Sequence, residues 1–296
     1  MEEMNMFSEK GFSCRTVSAK LGTKDGLVQR YDGLIHYQGE LGDFWYDPRE
    51  FEVLIHEVME FEYLHYVGNN KTVNLPRGCV NTRYMFRECT LVEGFVLGND
   101  FDTSKVIDMQ GMFQDCEMPK GFSLGDKFDT SNVTTMYGMF ADCKLSVGFS
   151  LGSSFDTSCV TDMGAMFWKC EMSTGFTLGG KFDTSSVTDM SLMFQECEIP
   201  IEFSLGDKFN TSNVTDMTCM FAGCKLPFGF SLGGKFDTRS VKLMCGMFGY
   251  CKLPVGFAIG SKFIIGRITN TDNMFDYCEL PEGKTIESVL SNCKEA

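Results

Sequence analysis

The stretch FDTSSVTDMSLMF, residues 182–194, sets two carboxylates, Asp183 and Asp189, around four hydroxyls. Two carboxylates in unlike environments can divide general-acid and general-base work, and a hydroxyl beside them can serve as nucleophile. Such chemistry needs singular groups. Here the stretch is copied, as FDTSNVTTMYGMF from Phe128, FDTSCVTDMGAMF from Phe155 and FNTSNVTDMTCMF from Phe209. A residue that recurs in every copy is a framework residue before it is a catalyst.

The elements that would position these residues follow from the period. The lead phenylalanines Phe101, Phe128, Phe155, Phe182, Phe209, Phe236 and Phe263 step by 27 residues. A cysteine follows on the same step, at Cys89, Cys116, Cys143, Cys170, Cys197, Cys224, Cys251 and Cys278. A strict period without insertions predicts one coil per unit, with equivalent residues stacked roughly 5 Å apart where strands pair. Within a unit, GFSLGDKF (121–128) alternates as a strand does, with Phe122 and Leu124 inward and Ser123 outward. The apolar spacing Val133, Met136, Met139 or Phe140, Cys143 predicts a short α or 3₁₀ turn, with Thr130 or Ser131 at its N-cap. KLP and EMP return the chain to the next coil.

The FDTSxVTDMxxMFxxCxL unit resembles the BspA-type leucine-rich-repeat surface proteins, including the mycoplasma-type lipoprotein repeats. The resemblance covers residues 67 to about 284. It implies a repeat solenoid of leucine-rich-repeat-like α/β coils with a parallel sheet, used for binding and often as an adhesin on host or matrix proteins. The expected organisation is an N-terminal capping region over 1–66, the solenoid over 67–284 and a C-terminal capping helix over 285–296. In the N-terminal region, DPREFEVLIHEVMEF predicts a helix from about 48, with Asp47 as N-cap and Pro48 at the first helical position. GLIHYQGELGDFWY predicts a small β element ahead of it.

Composition narrows the function classes. The chain has 296 residues, 43% of them hydrophobic, and a net charge of −14. That charge argues against nucleic acid or an anionic membrane as partner. An acidic mimic of nucleic acid is weakened by the interleaved lysines, since residues 101–278 hold 20 acids against 14 bases, only −6. No apolar run is long enough to span a bilayer, and MEEMNMFSEKGFSCRTVSAK does not read as a signal peptide. Fourteen cysteines then read as reduced thiols, and the expected location is cytoplasmic, with cell surface or secretion as the alternative that the resemblance implies.

The candidate chemistry resolves into framework. Asp102, Asp129, Asp156, Asp183 and Asp237 form a column, with Asn210 once; Lys127, Lys181, Lys208 and Lys235 sit two residues earlier. A Lys/Asp ladder with Asx-turn bonding is the expected reading, ahead of calcium. The eight cysteines read as small buried hydrophobes, because zinc sites want close Cys pairs and none occurs. Cys79, Cys159, Cys219 and Cys245 are irregular and receive no role. The Met-Phe column, Met85/Phe86 through Met274/Phe275, reads as core. The three histidines, His36, His56 and His65, fall outside the regular coils, and no phosphate-cradling glycine motif is present. No enzyme, cofactor or metal is expected.

Function is expected where the copies disagree. One position reads Glu93, Lys120, Val147, Thr174, Ile201, Phe228, Val255 along the units. Ile201, Phe228 and Val255 are large, apolar and consecutive, so with Val147 they are candidate protein-binding residues, or a homodimer contact. Trp168, Tyr250 and Tyr277, just after Met-Phe, are a second candidate set expected on another face. The expected function is a protein-binding repeat scaffold, with an exported adhesin-like protein as alternative.

Overall fold

The computed structural model describes residues 14–21, 24–31, 34–39, 42–46, 64–66 and 71–290, apart from 76–78, 100, 266–267 and 269. The helix expected from residue 48 lies outside the described residues. Ahead of the repeats stands an antiparallel sheet of five strands in chain order: β1 (Cys14–Leu21), β2 (Lys24–Tyr31), β3 (Leu34–Gly39), β4 (Gly42–Tyr46) and β5 (Leu64–Tyr66). The tight registers Leu21↔Lys24, Tyr31↔Leu34 and Gly39↔Gly42 make it a meander. Strand β4 comes against β6 (Thr72–Val73), where the repeats begin.

From there the architecture is repetition. Units are numbered here by their cysteines, Cys89 in the first to Cys278 in the eighth. One column of parallel bridges runs Asn81, Asp108, Thr135, Asp162, Asp189, Asp216, Leu243, Asn270; a second runs Thr90, Glu117, Lys144, Glu171, Glu198, Lys225, Lys252, Glu279. Strands are short: β6 pairs with β7 (Val96–Leu97), and β8 (Lys144–Leu145) pairs with β9 (Glu171–Met172). At GFSLGDKF only the single bridge Ser123↔Ser150 forms, so the pairing falls on the two columns and not on the expected strand. The one described helix, α1 (Ile286–Leu290), follows the last unit.

The expected helical turn is not a helix. In the third unit the Met139 amide donates to Met136 O (3.1 Å) and the Cys143 amide to Phe140 O (3.2 Å), two successive four-residue turns. Gly138 (φ 60°) and Asp142 (φ 54°) stand third in them, in the left-handed region that such a turn demands. The Ala141 amide closes a third, overlapping turn onto Gly138 O (3.0 Å), while the alternate amides leave the unit: Met136, Gly138, Phe140 and Asp142 donate to Asp162, Gly164, Met166 and Trp168 of the next unit at 2.6–2.9 Å. Paired turns place apolar residues at three- and four-residue intervals, which is the spacing a helix would have. Periodicity cannot separate the two, but the destination of the amides does.

The interior is built from columns. Phe86, Phe113, Phe140, Phe167, Phe194, Phe221, Phe248 and Phe275 stack with centroids 5.1–5.8 Å apart and planes within 12°. Phe95, Phe122, Phe149, Phe176 and Phe203 form a second column at 5.8–6.3 Å that meets the first edge-on. Met109, Met136, Met163, Met190, Met217 and Met244 belong to the same core and are fully buried. At about 1.5–3 kcal/mol for each large apolar side chain, this burial holds the units together, because no unit can enclose its own face.

Candidate protein-binding face

The cysteine column fixes the framework beside this face. Cys143, Cys197, Cys224 and Cys251 donate their thiols to the carbonyls of Phe113, Phe167, Phe194 and Phe221 in the preceding unit at 2.6–2.8 Å. Burial pushes the Cys197 thiol up to about 12, so it stays protonated and donates. Cys116, Cys143, Cys170, Cys197, Cys224 and Cys251 are buried free thiols.

After each cysteine the chain alternates. In YCKLPVG (250–256), Cys251 and Leu253 are buried while Tyr250, Lys252 and Val255 are exposed. The period of an extended chain thus sets the column of Lys225, Lys252 and Glu279 outward, with the tyrosines at one edge and the turn residues at the other. Ile201, Phe228 and Val255 stand at that turn with 70%, 79% and 70% of their surface exposed, and Val147 at 60%. Pro200, Pro227 and Pro254 precede the first three and are half-buried. Tyr250 and Tyr277 stack at 4.9 Å with planes 16° apart.

Trp168 does not join them. It follows Phe167 directly, one position earlier in its unit than Tyr250 or Tyr277, and is half-buried with Lys169 Nζ 4.5 Å from its ring. Lys169 in turn lies 3.9 Å from Glu196. The strip residues Val147, Ile201, Phe228 and Val255 thus share one turn position, Tyr250 and Tyr277 share another, and Trp168 stands apart from both.

The Asp column makes the expected Asx turns. Asp102, Asp129, Asp156, Asp183 and Asp237 accept the amide two residues on at 2.9–3.1 Å, and Asn210 accepts the Ser212 amide likewise. The lysine ladder is not there. Among the described residues, none of Lys127, Lys181, Lys208 and Lys235 reaches ion-pair distance of the column; Lys127 Nζ instead donates to Asn99 O at 3.0 Å. At Asp183 partial burial raises the carboxyl, but the Ser185 hydroxyl and amide, with Lys208 and Lys235 of later units, outweigh it and hold it below the ordinary value. Asp237 alone is paired, by the Arg239 guanidinium at 2.6 Å.

Three further columns went unrecognised. Thr103, Thr130, Thr157, Thr184 and Thr211 are fully buried, and each hydroxyl donates to the backbone carbonyl of the next unit's Asp or Asn at 2.7–2.9 Å. Thr130, Thr157, Thr184 and Thr211 also accept that residue's amide, a two-point clamp between units in place of the expected N-cap. Asp108, Asp162, Asp189 and Asp216 form a second Asx column. Burial, outweighing the Gly164 amide and joined by Asp189 and Asp108, pushes the Asp162 carboxyl up. The third is the proline column of the face. Aligning the eight units at every position, not only at the bulky ones, is the signal that exposes all three.

The irregular cysteines gain places. Cys159 is exposed where Asn132 and Ser186 bond the preceding unit. Cys219 occupies the left-handed turn position (φ 54°) and its amide donates to Cys245 O at 2.8 Å. Cys79 donates its thiol to Asn81 O at 3.2 Å. His36 and His65 lie on β3 and β5, both in register with Trp45. No group of three or more metal-ligating side chains gathers among the described residues, and no helix there is long and apolar enough to cross a membrane.

The model of a family described as Mycoplasma protein of unknown function, DUF285, matches residues 80–198, 146–252 and 202–284. The three overlapping matches cover the repeats from the first unit to the last and leave the five-stranded sheet outside. No curated protein and no solved structure matches the chain. With its repeats matched from 80 to 284, the chain belongs to this mycoplasma repeat family.

Proposed function

We propose that the chain is a non-enzymatic protein-binding scaffold, a leucine-rich-repeat-like solenoid of the BspA type, closed by the N-terminal sheet region and by α1. The observation that carries the binding role is the exposed strip of Ile201, Phe228 and Val255 in three successive units. Exposed large side chains are unremarkable singly; three in register above half-buried prolines make a contiguous apolar surface that water alone does not reward. The columnar carboxylates support a non-enzymatic role, since each is spent on an amide of its own turn. The protonated, carbonyl-bonded thiols support a compartment that keeps cysteine reduced, against the adhesin alternative.

The test is affinity purification from the native organism with the full chain and with Ile201→Ser/Phe228→Ser/Val255→Ser, both checked for fold by circular dichroism. Partners held by the wild type and lost by the folded variant are the expected result. Identical partners and an unchanged oligomeric state would sink the reading. Free-thiol titration of protein from its natural compartment decides location, with fully reactive thiols after denaturation expected.

A further inference from the structure

The face is not uniform along the units, and its charge pattern says what it takes. The outward seven-residue stretch reads ECTLVEG, DCEMPKG, DCKLSVG, KCEMSTG, ECEIPIE, GCKLPFG, YCKLPVG and YCELPEG from the first unit to the eighth. Units six and seven, residues 223–229 and 250–256, are the two with no acid. Each carries one lysine, a proline and a large apolar residue, in a chain of net charge −14.

Lys225 and Lys252 are bridged neighbours, so like charges sit on adjacent rungs roughly 5 Å apart. Directly opposed like charges cost stability. Lys252 offsets this with Glu279 at 2.8 Å, whereas Lys225 makes no ion pair among the described residues. Beside the lysines are Phe228 and Val255 on one edge and the Tyr250–Tyr277 stack on the other.

Resting on the protein-binding reading, we propose that units six and seven dock a protein segment that combines acidic and apolar side chains. Its carboxylates meet Lys225 and Lys252, and its apolar residues cover Phe228 and Val255. A second copy of the chain is the weaker occupant, because two bodies of charge −14 repel. The inference runs against the global charge, which would attract basic segments. With a screening length of about 8 Å at physiological salt, the charges that act on a docked segment are Lys225 and Lys252 with Glu198 and Glu279 on the flanking rungs. Glu279 pairs with Lys252, and Lys225, which makes no ion pair among the described residues, is the cation left for the segment.

The probe is a displayed library of random short peptides selected on the full chain at physiological salt. Enrichment of Asp and Glu together with aromatic or aliphatic residues is expected. Those peptides should bind Lys225→Glu/Lys252→Glu at least about tenfold more weakly, and Lys144→Glu as the wild type does. A selection without acidic enrichment, or binding unchanged by the double reversal, overturns the proposal. Sedimentation that shows self-association lost in Phe228→Ser would assign the face to a second copy and overturn it too. Cellular partners lost in the triple-serine variant but kept by Lys225→Glu/Lys252→Glu would leave the binding reading standing and this inference refuted.

Discussion

The two sides of one short segment obey different rules. Inward from residues 197–199, 224–226 and 251–253, the chain offers a cysteine and then a large aliphatic residue, each of them buried. Outward from the same residues it offers Glu198, Lys225 and Lys252, bounded by Glu196, Gly223 and Tyr250. The inner side must match the unit above and below at about 5 Å spacing, so any change there is felt by two neighbours. The outer side meets solvent and is free to differ. Repetition therefore marks what the fold requires, and divergence marks what the fold leaves open.

The sharpest break of that contrast uses one residue type on both sides. Phe167, stacked between Phe140 and Phe194 at 5.7 and 5.6 Å, is expected to cost about 3–5 kcal/mol of stability as Phe167→Ala in a denaturant titration. Phe228→Ala, on the exposed face, is expected within about 0.5 kcal/mol of wild type. Next in size is the threonine clamp. Thr157→Val keeps the volume but removes a hydroxyl that bonds Asp183 O and the Asp183 amide at 2.8 Å, for an expected loss of about 1–3 kcal/mol.

The turn column sharpens the same comparison at its border. Gly138 sits at φ 60° with the nearest atom to an added Cβ, that of Ala141, at 3.8 Å. Gly138→Ala thus meets no clash, and its expected loss of about 1 kcal/mol in thermal unfolding reports the left-handed conformation alone.

The smallest effects distinguish Asp183 of one Asx column from Asp162 of the other by the sign of their pH dependence. The Asp183 carboxyl is lowered in the fold, so its stabilisation is present above the ordinary aspartate value near 3.9 and is lost as pH falls through the lowered one. The Asp162 carboxyl is raised, so its contribution is complete below the ordinary value and lost as pH rises through the raised one. Asparagine preserves the Asx bond, as Asn210 and Asn270 do naturally. Asp162→Asn is expected to gain up to about 0.5 kcal/mol at neutral pH, and Asp183→Asn to lose a similar amount, by urea denaturation at pH 7 and pH 4.

Much of this was legible in the residues. The period, the Phe, Met and Cys columns and the Asx turns follow from spacing and side-chain chemistry, and the exposed strip follows from the disagreement at Ile201, Phe228 and Val255. The paired turns were hidden because Met136, Phe140 and Cys143 carry helical spacing whichever way their amides point. The lysine ladder failed for a related reason: two residues' separation along an extended chain put Lys181 near Asp183 in sequence, while the lysines that influence Asp183 come from later units. The left-handed backbone at Tyr250 and Tyr277 was equally hidden, because nothing in a tyrosine announces that conformation. Interactions between units, not within them, are what a single unit's sequence conceals.

The turn amides that leave each unit all leave in one direction. At the return bridges donors run both ways, as Lys144 to Cys116 O and Leu226 to Lys252 O illustrate, and their dipoles oppose each other. Along the turns Met136, Gly138, Phe140 and Asp142 all point toward the following unit, and their counterparts in the neighbouring units do the same. Peptide dipoles aligned head to tail add, as they do along a helix. The turn column is thus electrically polar, with a dipole moment that grows with every unit appended. Among the described units its amide-positive end is the eighth, where Asp272 and Asp276, beside Asn273, Phe275 and Tyr277, supply the negative charge that such an end favours.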